Sequence, residues 1–397
     1  MSREKTLGVS RGKTLGVLGS GQLGRMFVQA AQAMGFKTIV FDPEAQADGV
    51  LSPAAQVSSG FMNAAFTDTA ALQSLAEQCF AVTTEFENVP AKALAFLAES
   101  ALKVGVAPRA GAVRIAQDRV LEKAHFASCG VPTAPYHVLE SEADITAVPS
   151  DFYPAILKTA RMGYDGKGQV TVHSSDELQA AWNGLLQVVC VLEKRLPLAF
   201  ECSVLLARGA DGQMIHWPLQ RNVHVDGILA TTAVASNDPL EATLTLAARQ
   251  IAAQLDYVGV LCIEFFILED DSWVVNEMAP RPHNSGHVTM DASSLSQFQA
   301  QVRVTAGLPL VEPRQHSCAV MINLLGDLWF EGDASQATRE PNWADVLALG
   351  NALVGVHLHL YGKTEARRAR KMGHINVTAK ELSTAWQTAT SIQQLLR

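Results

Sequence analysis

The stretch Val275-Asn276-Glu277-Met278-Ala279-Pro280-Arg281-Pro282-His283-Asn284-Ser285-Gly286-His287 decides the reading of this chain. It gathers carboxylate, amide, guanidinium and imidazole groups directly after an apolar run. Upstream, Glu264 interrupts Val260-Leu261-Cys262-Ile263-Glu264-Phe265-Phe266-Ile267-Leu268, where burial penalises a charge unless it binds something. The two segments predict a β-hairpin turning through Glu269-Asp270-Asp271-Ser272. If that loop sets the register, Leu268 faces Trp273 and Glu264 falls opposite Glu277. Facing carboxylates repel, and a shared cation is the simplest resolution. Carboxylates that leave coordination positions for phosphate oxygens predict a magnesium–nucleotide site, with Glu264 and Glu277 as the metal ligands.

Outward from the hairpin, residues 155–276 are strand-rich. Strands are expected at 155–158, 169–172, 188–193, 201–207, 214–218 and 228–235, with helices at 176–186 and 240–255, an α+β pattern built on a mainly antiparallel sheet. The N-terminal part reads differently. Strands at 15–18, 38–41 and 81–84 alternate with helices at 22–34 and 70–78, the signature of an α/β domain with an open parallel sheet. A single helix over 110–128, stopped by Gly130 and Pro132, leads from one to the other. Beyond Pro309 and Pro313, strands at 319–325 and 352–360 and a polar tail helix predict a small third domain. The repeat Lys5-Thr6-Leu7-Gly8-Val9, matched by Lys13-Thr14-Leu15-Gly16-Val17, marks residues 1–12 as an extension.

The 397 residues are 48% hydrophobic and 18% charged, enough apolar material for several cores and too much for a disordered chain. No apolar run reaches the roughly 20 residues of a membrane helix, and no signal peptide is expected. A net charge of −8 disfavours nucleic acid as a partner. Six dispersed cysteines without a C-x-x-C pair predict reduced thiols and a cytoplasmic location.

Several further motifs carry chemistry. Gly19-Ser20-Gly21-Gln22-Leu23-Gly24 sits between a strand and a helix, with Asp42 ending the next strand, as in a dinucleotide fingerprint. Lys158 ends an apolar strand and opens a loop, Gly163-Tyr164-Asp165-Gly166-Lys167-Gly168-Gln169, that can fold over phosphates as a lid or simply form a glycine-rich hairpin. Glu193-Lys194-Arg195-Leu196 ends another strand and is either a charged turn after that buried strand or a meeting point for an adenine edge and ribose hydroxyls. Glu201 and His224 are, singly, a strand-face acid and a histidine before an Asp226-Gly227 turn. Glu85-Phe86-Glu87-Asn88-Val89-Pro90 is either a ligand-binding strand end or a helix cap formed by Asn88. The basic run from Tyr361 to His374 is a solvated turn or a grip on a substrate phosphate.

Taken in this order, GQLGRM, FENVP, GYDGKGQ, NVHVDGIL, NEMAPRPHNSGH and the YGK…RKMGHI run resemble the N5-carboxyaminoimidazole ribonucleotide synthetases of bacterial purine biosynthesis, in the ATP-grasp superfamily. The resemblance implies an ATP-grasp fold with a Rossmann-like pre-ATP-grasp domain over 13–109, the ATP-grasp domain over 110–312 with a lid at 160–169, and a small β-rich domain over 313–397. It implies carboxylation of the amino group of 5-aminoimidazole ribonucleotide by bicarbonate, with magnesium as cofactor, ATP as co-substrate and a homodimer as the assembly. Arg119, Lys158, Gly163, Tyr164, Asp165, Gly166, Lys167, Gly168, Gln169, Glu193, Lys194, Arg195, Leu196, Glu201, His224, Asn276 and Glu277 are implied to contact ATP. Arg281, His283 and Asn284 are implied to surround bicarbonate and its phosphorylated product, with Asp165 orienting the amine or taking its proton. Gln22, Leu23, Tyr164, Asp165, Lys363 and Arg370 are implied to hold the ribonucleotide. Met162 and Arg368-Ala369 depart from the family pattern, where glycine and Pro-Gly are usual. The rivals are a formate-dependent glycinamide ribonucleotide transformylase, a nicotinamide-dependent dehydrogenase and an inactive nucleotide-binding relative.

Overall fold

The computed structural model describes residues 13–163, 168–235, 237–332 and 339–396. Its first layer is a five-stranded, all-parallel sheet, ordered Gly60–Met62, Lys37–Phe41, Thr14–Leu18, Ala81–Thr84, Gly105–Val106. Thr14–Leu18 and Ala81–Thr84 are neighbours although the helices Gln22–Ala33 and Thr69–Gln78 and the strands Lys37–Phe41 and Gly60–Met62 intervene in sequence. The strand order therefore reverses between them, and loops leaving their C-terminal ends open a crevice. Gln22–Ala33 buries Met26, Phe27, Val28 and Ala31 on one face, the 3.6-residue periodicity seen in the sequence.

Two helices, Ala110–Ala116 and Arg119–Ser128, stand where one was expected. Asp118 causes the break: its carboxylate accepts from the Val120 and Leu121 amides and caps the second helix. The new N-terminus aims Arg119 and Glu122 at the strand Trp273–Ala279.

A four-stranded antiparallel sheet follows, ordered Gln169–Val172, Ala155–Thr159, Cys190–Lys194, Tyr136–Leu139. Ser175–Gly184 packs Leu178 and Trp182 against it. Tyr136–Leu139 was not foreseen, nor was Gln220–Val225, whose alternating exposure leaves little apolar signal.

The largest sheet has nine strands. Its order runs Trp273–Ala279, Gly259–Leu268, Leu198–Arg208, Gln220–Val225, Ile228–Val234, Cys318–Leu325, Lys371–Ala379, Val354–Leu360, with Met214–His216 pairing on Leu198–Arg208. Cys318–Leu325 pairs directly with Ile228–Val234, so the C-terminal strands extend this sheet. Lys371–Ala379, within and beyond the expected basic run, is almost wholly buried. The tail helix Leu382–Leu396 is amphipathic, not polar throughout: Ala385, Ala389, Ile392 and Leu396 share one buried face.

Candidate active site

The hairpin Gly259–Leu268/Trp273–Ala279 pairs Glu264 with Glu277, by a different route from the one expected. Leu268 N–H donates to Ser272 O at 2.8 Å, which lengthens the turn and puts Ile267, not Leu268, opposite Trp273. A β-bulge between Glu264 and Phe265 leaves Asn276 without a partner and restores the pairing of the two acids. The bulge also brings both Asn276 and Glu277 to the wall of a cavity of about 1020 Å³.

That cavity collects residues from every layer. From the hairpin come Glu264, Asn276 and Glu277, and from the following turn Arg281, His283 and Asn284. Lys158, Gly163, Gly168, Gln169, Glu193, Lys194, Arg195 and Leu196 enter from the four-stranded sheet. Arg119, Glu201 and His224 complete this part, and Gln22 and Leu23 reach in from the first helix. Tyr164, Asp165, Gly166 and Lys167 lie outside the described residues. Lys363 and Arg370 are not on the wall: Lys363 Nζ donates to Lys371 O at 2.6 Å and Arg370 to Glu365 O at 3.1 Å. Lys371, from the same run, lines the cavity instead.

Burial and the facing Glu277 push the Glu264 carboxyl up to about 7. Burial also works to raise Glu277, but Arg119, whose guanidinium donates to it at 2.8 Å, and Lys158 outweigh that and hold it below its usual range. The strand-end Glu193 is buried between two ammonium groups, Lys158 at 2.9 Å and Lys123 at 3.0 Å. Burial disfavours its charge, yet the two lysines prevail and hold its carboxyl at about 2. Lys123 and Glu122 were missed, although both lie one helical turn from Arg119, the spacing that puts side chains on a common face. Glu122 accepts from the Met278 amide at 2.7 Å, and burial pushes its carboxyl up to about 8. His224 Nδ1 meets Glu201 at 2.8 Å, which raises the imidazole against the opposing effect of burial.

Glu87 pairs with the Arg281 guanidinium, so Glu85-Phe86-Glu87 is part of the site. Asn88 does not act as a cap: Ala91–Glu99 starts after Pro90 without a side-chain cap. Glu85 decides the glycine loop. Its carboxylate accepts from the amides of Gly21 and, at 2.6 Å, Gly24, the positions a dinucleotide pyrophosphate needs. A fixed internal anion there removes the dehydrogenase reading.

The donor set fits a hard divalent ion. Among the described residues, Glu264 Oε1 and Asn276 Oδ1 are buried oxygen atoms without a hydrogen-bond partner, Glu264 Oε1 having His283 Nε2 3.4 Å away, beside the second carboxylate of Glu277. Oxygen donors of this kind, near lysine and arginine groups suited to phosphates, make a metal–nucleotide site chemically consistent.

Comparison with known proteins decides the family. Models of a ribonucleotide synthetase preATP-grasp domain, an ATP-grasp domain and a phosphoribosylaminoimidazole carboxylase C-terminal domain match residues 12–117, 124–298 and 319–388. An N5-carboxyaminoimidazole ribonucleotide synthase of Brucella melitensis is 43% identical over 370 residues, covering 92% of this chain and 96% of the relative. The chain belongs to the N5-carboxyaminoimidazole ribonucleotide synthase family. Among solved members of that family, the Staphylococcus aureus synthetase complexed with ADP superposes with a TM-score of 0.85 at 34% identity, over 97% of each chain. The Aspergillus clavatus synthase in complex with ADP and 5-aminoimidazole ribonucleotide superposes at 0.83 with 30% identity, over 97% of this chain and 99% of that one. The parallel sheet, the ATP-grasp layers and the C-terminal strands are thus those of a synthase of this family, an ATP-grasp ligase.

Proposed function

We propose that the chain carboxylates the exocyclic amine of 5-aminoimidazole ribonucleotide, using ATP and bicarbonate, as a step of purine biosynthesis. One observation carries the reading: a single cavity joins the Glu264–Asn276–Glu277 oxygens, the Lys158 and Arg119 cations and the Arg281–His283–Asn284 segment. Glu264, Glu277 and Asn276 would hold magnesium, which when bound supplies charge neutralisation at phosphate oxygens. Lys158 and the loop at 163–169 neutralise the triphosphate and position it for in-line attack. A bicarbonate oxygen then bonds to the γ-phosphorus as the bond to the bridging oxygen of ADP breaks, giving carboxyphosphate. Arg281, oriented by Glu87, balances its negative oxygens.

Carboxyphosphate next loses phosphate, and the electron pair of the amine bonds to the released carbon as a proton leaves nitrogen. Water would destroy this labile anhydride, so the chemistry calls for its exclusion from the cavity. Asp165 is our candidate for orienting the amine, and Gln22, Leu23 and Tyr164 for the ribonucleotide, with Lys371, on the cavity wall where Lys363 and Arg370 are not, as the basic group of that run. Six free cysteines, five of them buried, support a reducing cytoplasmic setting, and a homodimer completes the reading. We propose that the chain divides into domains at 13–109, 110–312 and 313–397.

The test is phosphate release with ATP, bicarbonate and aminoimidazole ribonucleotide, omitting each in turn. Turnover should need all three. Turnover with formate in place of bicarbonate, or with glycinamide ribonucleotide in place of the imidazole, would overturn the reading in favour of the transformylase.

A further inference from the structure

His287 ends the stretch Val275–His287, and the carboxylation steps leave it without a role. It lies in the 3₁₀ segment Asn284–Val288, where residues three apart eclipse. Asn284 and His287 therefore share a face, and both line the cavity. The His287 ring is wedged between neighbours, with His374 4.6 Å away and Phe298 5.7 Å away, centroid to centroid. Its carbonyl accepts from Asn376 Nδ2 at 2.9 Å. The ring has little freedom to turn.

Gln297 sets its proton. The His283 backbone N–H donates to Gln297 Oε1 at 2.8 Å, and a backbone amide can only donate, so the oxygen and nitrogen of this side chain are assigned. The remaining Nε2 donates to His283 O at 2.8 Å and to His287 Nδ1 at 3.0 Å. Nδ1 must then be the bare nitrogen, and a neutral imidazole carries its hydrogen on Nε2. Burial and the positive neighbours hold His287 far below its ordinary pKa, so the ring stays neutral. No group among the described residues pairs with Nε2, the edge left over once Gln297 and the ring packing are satisfied. Gly286 belongs to the same device: a Cβ there would stand 2.7 Å from Gln297 Cδ and push the amide away.

We propose that His287 is a fixed, neutral hydrogen-bond donor of the catalytic cavity, with Gln297 as the residue that positions its Nε2–H beside Asn284 for an oxygen of bicarbonate and of carboxyphosphate. This rests on the carboxylase reading. A neutral donor stabilises the anionic oxygens without surrendering a proton to them, whereas an imidazolium at the same place could protonate the anhydride. Arg281 supplies the charge and His287 the direction.

Two measurements test it. Nitrogen-15 spectra of the histidine-labelled enzyme should show His287 with hydrogen on Nε2, and Gln297→Glu should move it to Nδ1. In steady-state ADP release, His287→Phe keeps the ring packing, and kcat/KM for bicarbonate should fall roughly 10²-fold while KM for ATP holds. His287→Gln, which returns an N–H near the Nε2 position, should recover most of that loss. A wild-type proton on Nδ1 overturns the proposal, as does a folded phenylalanine variant with full activity or an equal loss in both variants. If the wild type needs no bicarbonate, the carboxylase reading and the assigned ligand fall together. The spectra would still report the tautomer, which keeps the two failures distinct.

Discussion

Replacing Glu193 by glutamine removes one negative charge from between Lys158 and Lys123, which lie 2.9 and 3.0 Å from its oxygens. Lys123, Lys158 and Glu193 are all buried, so neither lysine regains water without moving the sheet. Two routes give the size of the effect. A carboxyl held at about 2 rather than its ordinary 4.5 stabilises the folded state by about 3 kcal/mol at neutral pH. Breaking a buried pair by removing one partner costs about 3–5 kcal/mol. The routes agree. The sign with pH follows because the folded pKa is depressed. The stabilisation is complete above the unfolded value near 4.5 and is lost as pH falls through about 2. Amide hydrogen exchange of Cys190–Lys194, with urea unfolding beside it, should therefore show Glu193→Gln weaker by about 3 kcal/mol at pH 7 and converging on wild type at the acid end. Lys123→Met should cost less, since the Lys158 pair survives, and the double variant should show coupling. A difference below about 1 kcal/mol at pH 7, or one independent of pH, would refute the assignment of a charge clamp.

Other perturbations separate the roles. Glu277→Gln should cut ADP release by about 10² or more and shift the magnesium requirement upward, read by a magnesium titration; unaltered turnover would sink the metal assignment. Glu85→Ala strips the acceptor from the Gly21 and Gly24 amides and should destabilise the first domain by about 1–3 kcal/mol in urea unfolding. NADH fluorescence should show no binding by the wild type, because Glu85 already fills that anion position. Glu122 is raised to about 8, so it opposes folding increasingly as pH climbs from 4.5 towards 8. Glu122→Gln, which keeps an acceptor for Met278 N–H, should gain stability on wild type at pH 8 and little at pH 5, checked by urea midpoints.

Local pattern alone carried the elements with strong periodicity: the helix Gln22–Ala33, three of the five parallel strands of the first sheet and the acidic hairpin, with Gly60–Met62 and Gly105–Val106 too short to read. Those follow from which residues bury themselves at spacing 3.6 or 2, a property that neighbours in sequence decide. The strands Tyr136–Leu139 and Gln220–Val225 were illegible because the first buries fully only Leu139 and the buried positions of the second are the polar Gln220 and Asn222, so ladder partners stabilise them and their own hydropathy does not. The break at Asp118 was legible in principle, since Asp before Arg119 is a helix-capping residue in an otherwise continuous pattern. For the site, residue types named the acids, lysines and imidazoles. Only the folded chain could show that Glu85 occupies the glycine-loop amides, that Glu87 holds Arg281, and that Glu193 sits between two lysines.

The sequence by itself determined the chemical inventory of the site and the hairpin that carries Glu264 and Glu277; the turn register it suggested is one residue off, and the bulge between Glu264 and Phe265 is what restores the pairing of the two acids. The tertiary structure decided which anion each donor meets, which cation each acid meets and which tautomer Gln297 imposes on His287. Those choices join residues far apart in the chain, where charge and hydrogen-bond geometry act through space and leave no local pattern to read.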